Sequence, residues 1–141
     1  MLCTRDAQDR PFPHECFLAE ITANTVIGLV PEHLARGLPE NAADNAEAAL
    51  VASRIPGDHR SVQLKGRITR IDEARVRQVE FAPTIEPMVK WLSTEMPVEA
   101  ARAIMDAASR GRAFRIQLEV TEAFDQSPGP KAGRPIAVGG S

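Results

Sequence analysis

A chain of 141 residues can bury one hydrophobic core without help from disulfides, and its 43% hydrophobic and 26% charged residues exclude a disordered chain. A net charge of −2 excludes a broad attraction to nucleic acid or an anionic membrane, and no apolar run approaches the roughly 20 residues that a spanning helix requires. Two cysteines and a start, MLCTRDAQDRP, that is charged by its fifth residue give the expectation of a cytoplasmic protein with reduced thiols.

The opening MLCT reads as a strand, and RDAQDRP behind it as the charged turn of a hairpin. Phe12 to Ile21 has a mixed pattern, after which a turn at Thr22 to Asn24 leads into the β-branched run TVIGLVP, a buried strand. Residues 32–47 lose alternation and gain Ala, Glu and Asn, with Pro39 suited to a first helical turn, so one or two short helices are expected. AALVASR returns to strand character, IPGD is a turn, and the segment HRSVQLKGRITRID pairs with it as the other half of an antiparallel hairpin.

That segment has two unlike faces. Val62, Leu64 and Ile68 alternate with Ser61, Gln63, Lys65, Arg67 and Thr69, and Gly66 falls in the apolar row, where it permits a bulge. Ile85, Met88, Val89 and Leu92 after Pro83, and Val98, Ala101, Ile104, Met105 and Ala108 after Pro97, have helical spacing, with Gly111 as a stop and Trp91 expected to pack in the helical pair. AFRIQLEVTEAF closes the fold as an alternating strand. The expectation is an α+β chain: a six-stranded antiparallel barrel over residues 1–124, with a short helical insertion and a later helical pair, followed by an extended Pro/Gly-rich tail over 125–141.

Site motifs are sparse. Cys3, His14 and Cys16 lack a fourth ligand and a Cys-x-x-Cys pair, so no metal is expected. No GxSxG elbow supports a Ser-His-Asp triad, and His59 has no identifiable partner. GPKAG lacks the strand and helix that flank a phosphate loop. Arg36, Arg54 and Arg60 each suit a phosphate contact, against a background of 17 Lys and Arg.

CTRDAQDRP, TVIGLVPEHLARGLPENAADN, AALVASR, HRSVQLKGRI and the tail FDQSPGPKAG, in this order, resemble the pyridoxamine 5′-phosphate oxidase-like FMN-binding split barrels. The resemblance spans nearly the whole chain and implies a homodimeric split barrel with flavin in two clefts at the subunit interface. It implies cofactor contacts at His14, Cys16, Pro31, Arg36, Arg60, Ser61, Gln63 and Lys65, with the polar row facing cofactor and partner. The implied activity is electron or hydride transfer between FMN and a small molecule, with substrate and electron donor open and catalytic residues unassigned. His14 and Ala19 stand where the family carries an Arg and a Lys near the phosphate, which points away from pyridoxamine phosphate oxidation itself. It also leaves open a non-catalytic barrel that binds haem, a deazaflavin or nothing, and an interaction module whose tail from Phe124 clasps the dimer partner.

Overall fold

A computed structural model of the chain describes residues 1–53, 60–75, 78–109 and 111–138. Arg54, His59 and the expected IPGD turn lie outside the described residues. The strands are β1 (Leu2–Arg5), β2 (Pro11–His14), β3 (Phe17–Ile21), β4 (Thr25–Pro31), β5 (Glu47–Ser53), β6 (Ser61–Arg75), β7 (Arg112–Asp125) and β8 (Pro135–Ile136). A turn of 3₁₀ helix, Glu32–Leu34, and α1 (Leu38–Asp44) follow β4; α2 (Gln78–Leu92) and α3 (Val98–Ser109) connect β6 to β7.

The expected six strands are eight. The mixed segment Phe12 to Ile21 is two strands, and Pro135–Ile136 in the tail pairs with β7. All ladders are antiparallel, and the main path runs β2-β1-β5-β6-β7-β4-β3. Its two end strands are separated in sequence only by Glu15 and Cys16. Three Cα steps reach at most about 11 Å, whereas six strand spacings on a flat sheet cover about 29 Å. The sheet must therefore roll up until its ends nearly meet, with no ladder joining them among the described residues. This is a half-barrel of the split type.

Both free edges are blunted. Pro11 and Pro13 remove alternate donors from β2, and β3 is irregular between Leu18 and Glu20. The first hairpin turn is held by Asp6, whose carboxylate accepts from the Gln8 and Arg10 amides at 2.9 and 3.0 Å and from Arg10 Nε at 2.7 Å. The Arg10 backbone bond foremost, these contacts hold the Asp6 carboxyl below its usual range.

Leu2, Val26, Val30, Leu38, Leu50, Ile68, Ile116, Leu118 and Val120 fill the barrel, with Leu64 and Ile71 packed against them. A second cluster lies on the other face of the sheet, where Ile85 and Val89 of α2 and Ala101 and Met105 of α3 cover Phe17, Leu29 and Ala113. Ile104 and Val98, expected in that stripe, are 49% and 47% exposed, and Trp91, at 37%, stands outside the cluster. Pro83 and Pro87 both lie within α2, which begins at Gln78, ahead of Pro83 where the sequence suggested a start.

Two bulges shape the central pair. Lys65 opposes Glu122 while Gly66 opposes Val120, so Thr121 is the extra residue on β7; Ile68 opposes Leu118 while Arg70 opposes Gln117, so Thr69 is the extra residue on β6. Each hydroxyl spans its own bulge, Thr121 donating to the Lys65 carbonyl at 3.3 Å and Thr69 to the Gln117 carbonyl at 3.4 Å. Gly66 is required here, since a Cβ would lie 1.9 Å from the Glu119 carbonyl oxygen.

Candidate functional site

Strand register sorts the outer face of β1, β5, β6 and β7 into three transverse rows. Met1 and Val51 exchange backbone bonds at 2.9 and 2.8 Å, and Val51 opposes Gln63, which opposes Phe124. The next row is Cys3, Ala49, Lys65 and Glu122. The third is Glu47 opposite Arg67, with Arg5 reaching Glu47 at 2.6 Å. The face thus grades from apolar to charged within two steps along the strands. Side chains opposite one another in an antiparallel pair share a face, so a polar outer row on β6 brings matching rows on its neighbours.

The second and third rows line an open cleft of about 590 Å³, bordered by Arg5, Glu47, Lys65, Arg67, Thr121 and Glu122 and floored near Cys3, Ala48, Ala49 and Gly66. Lys65 Nζ stands 4.8 Å above the centre of the Phe124 ring, a cation–π contact that holds the ammonium between the apolar and charged rows. Arg5 is engaged by Glu47 and, at 3.4 Å, by Asp9. Among the described residues Arg67 makes no ion pair and is exposed. Gln126 Nε2 donates to Gln63 Oε1 at 3.2 Å, which leaves the Gln63 nitrogen as a donor on the half-buried apolar row.

Of the eight residues singled out in the sequence, the structure aligns Ser61, Gln63 and Lys65 on one outer row of β6. Arg60 and Ser61 border a second cleft, of about 400 Å³, with Ser53, Asp125 and Ser127 at the far end of the strand. Ser61 is fixed there by a Ser53 hydroxyl at 2.9 Å and by its own amide donating to Ser127 Oγ at 3.2 Å. The other four lie away from this face. Pro31 is fully buried at the end of β4, and Arg36 is exposed before α1. Cys16 lies in the corner between β2 and β3 with Sγ against Gly28, and burial pushes its thiol up to about 11, which makes it inert at neutral pH.

His14 is 1% exposed on the inner side of the first hairpin. Its Nε2 lies 2.9 Å from Thr4 Oγ1, which also accepts from Asn41 Nδ2 of α1 at 3.1 Å. The hydroxyl has one proton and two lone pairs, so beside the Asn41 bond it can either donate to an unprotonated Nε2 or accept from Nε2–H. Among the described residues Nδ1 has no partner at hydrogen-bond geometry; burial foremost lowers the pKa from its usual value of 6.5, against a smaller opposing effect of the Leu34 carbonyl. Ala19 is exposed on the edge strand β3.

Arg5, Glu47, Arg67 and Glu122 complete the cleft without having been assigned to it from the sequence. Arg67 was within reach, since it continues the outer row that Lys65 begins; Arg5 and Glu47 needed the β1–β5 pairing, which no local pattern reveals.

No protein-family model matches the chain, and no curated protein does. Among solved structures it is similar to a protein from Clostridium acetobutylicum related to general stress protein 26 of B. subtilis, of the pyridoxinephosphate oxidase family, with a TM-score of 0.51 and 9% identity, covering 91% of this chain and 78% of that one. HupZ of Group A Streptococcus aligns at a TM-score of 0.47 and 16% identity, covering 94% of this chain and 88% of that one. At this level of identity the likeness to the Clostridium protein concerns the fold, and it agrees with the rolled sheet and flanking helices above. Among the described residues no helix is long and apolar enough to cross a membrane.

Proposed function

We propose that the chain is an FMN-binding oxidoreductase that works as a homodimer, with cofactor and partner both meeting the outer face of β5 and β6. The observation that carries this reading is the graded face on a split-barrel scaffold: an apolar row with one amide donor beside a cleft holding Lys65 and Arg67, the latter without an ion pair among the described residues. The donor set fits the group. A phosphate needs a point charge and a guanidinium fork, and a flat heteroaromatic ring needs apolar cover with a hydrogen-bond partner at its edge. Lys65 and Arg67 would take the phosphate, and Gln63, Val51 and Phe124 the ring.

When bound, the flavin would supply the two-electron chemistry; the chain's own residues bind, orient and shield it. Met1 at 59% and Val51 at 37% exposure leave apolar surface beside the cleft, and a second copy placed on it would exclude water from the ring. The test is addition of FMN to the purified protein, read as a rise in melting temperature and quenching of flavin fluorescence. Both effects are expected and should weaken in Lys65→Ala/Arg67→Ala; no shift at a large excess of FMN overturns the reading.

One observation favours a second reading, a non-catalytic barrel that binds another planar anion or none. His14 and Ala19 supply no charge to the outer face, so the cleft's cations are few. The absorption spectrum of freshly isolated protein separates the two, since flavin, deazaflavin and haem absorb differently.

A further inference from the structure

The first hairpin is one wall of this mixed-charge cleft: Cys3, Thr4, Arg5 and Pro11 all border it. Its backbone ladder to the rest of the sheet is short, with Arg5 adding an ion pair to Glu47 of β5 at 2.6 Å. β1 meets β5 through only two residue pairs, Leu2 with Leu50 and Cys3 with Ala49, extended by the Met1–Val51 backbone bonds, whereas β1 meets β2 through four. Two further ties run inward. Leu2 is fully buried, and the chain of side chains Asn41, Thr4 and His14 links α1, β1 and β2. Burial sets that chain against a charged ring. A second ring proton would place a charge in a site with no counter-charge among the described residues, and would leave Nδ1 as an N–H without an acceptor at hydrogen-bond geometry.

The charged groups on the surrounding elements do not supply one. Arg5 on β1 is turned to Asp9 and Glu47; Glu15 after β2, Glu32 and His33 on the 3₁₀ turn, and Glu40 and Asp44 on α1 are exposed. Among the described residues the Leu34 carbonyl favours the charged ring. Phe12 is stacked on His14 with ring centres 5.9 Å apart.

We propose that the β1–β2 hairpin is an acid-releasable wall of the cleft, latched by the buried Asn41–Thr4–His14 chain and opened when His14 takes up a proton. Opening removes Cys3, Arg5 and Pro11 from the cleft border and lets go whatever the cleft holds. Its relevance to a flavin rests on the function proposed above; the opening itself does not, and it is measured without added cofactor.

The experiment is hydrogen exchange of the protein as purified, at pH 7.5 and 5.5, with rates corrected for the intrinsic pH dependence of exchange. With an unfolded histidine near 6.5 and a closed form that resists the proton, the opening constant for amides of residues 2–14 should rise by up to about tenfold between the two conditions. Amides of residues 62–72 and 114–124 should stay within twofold. His14→Gln should abolish the rise, and His33→Gln/His59→Gln should keep it. Should His14→Gln not fold, the wild-type ring's own NMR titration must coincide with hairpin opening. Equal hairpin protection at both pH values, a parallel rise across β6 and β7, a rise that survives in His14→Gln, or a ring titration separate from the opening would each overturn the proposal.

Discussion

Gly66→Ala is the sharpest test of the barrel's geometry. A Cβ at this position sits 1.9 Å from the Glu119 carbonyl oxygen, against the 3.0 Å below which real Cβ contacts essentially never occur, so the β7 backbone must retreat by about 1.1 Å. The obstacle is backbone inside a bulged ladder, with no side chain to swing aside. Overpacking costs about 1–3 kcal/mol, and two strained ladder bonds add about 1 kcal/mol each. The loss of glycine's unfolded freedom returns about 0.4–1 kcal/mol and cannot compensate. The net is a destabilisation of about 3 kcal/mol. For 141 residues, at about 2.1 cal/mol/K each, it corresponds to a fall in Tm of about 10 °C. Thermal unfolding followed by circular dichroism measures it. A fall under about 3 °C would mean that the close approach of β6 and β7 is absent, and with it the bulge that sets the cleft floor.

Gly28→Ala provides the contrast, since its Cβ would meet Cys16 Sγ at 2.5 Å, a side chain. A loss of about 1–3 kcal/mol is expected, and Gly28→Ala/Cys16→Ala should be more stable than Gly28→Ala alone in urea titrations. Val51→Asp places a charge on the exposed apolar row and should convert the proposed dimer to monomer by light scattering, with the far-ultraviolet circular dichroism spectrum retained. Global stability should also depend on pH with a fixed sign. Burial depresses the native His14 pKa, so the unfolded chain binds the extra proton. The contribution is intact above about pH 6.5 and falls beneath it by at most about 1.4 kcal/mol per pH unit, an acid loss that His14→Gln should remove from the urea midpoint.

Most strands were legible because their alternation is carried by β-branched and aliphatic residues. TVIGLVP, AALVAS, SVQLKGRI and AFRIQLEV each announce a strand, and the helical pair follows from apolar spacing at 85–92 and 101–108. Phe12 to Ile21 was not, because alternation says nothing about a corner: His14 and Phe17 belong to opposite ends of the sheet path although three residues apart. The Thr69 bulge had a trace in the sequence, since Ile68 and Ile71 are three apart and both face the core, a spacing that a regular strand forbids. The exposure of Ile104 and Val98 had no trace, for periodicity marks an apolar stripe without fixing how wide a stripe the neighbouring sheet covers.

The site was half legible for a related reason. Parity along β6 gives the outer row Ser61, Gln63 and Lys65, yet parity on the hairpin had to come from its partner. Leu2 and Thr4 point inward, and pairing Leu2 with His14 and Thr4 with Phe12 sends His14 inward too. Moving that ring to the cleft side would require a one-residue slip that also exposes Phe12 and breaks the Thr4 bond. His14 and Lys65 therefore act on different faces, and their substitutions should separate. Lys65→Ala/Arg67→Ala should weaken FMN affinity at pH 7.5 and leave the acid dependence of the hairpin unchanged. His14→Gln should remove that dependence and leave FMN affinity at pH 7.5 within about twofold, by fluorescence titration. A His14→Gln protein that loses FMN at pH 7.5 while its hairpin stays protected would place the ring on the cleft side and refute the register on which both assignments depend.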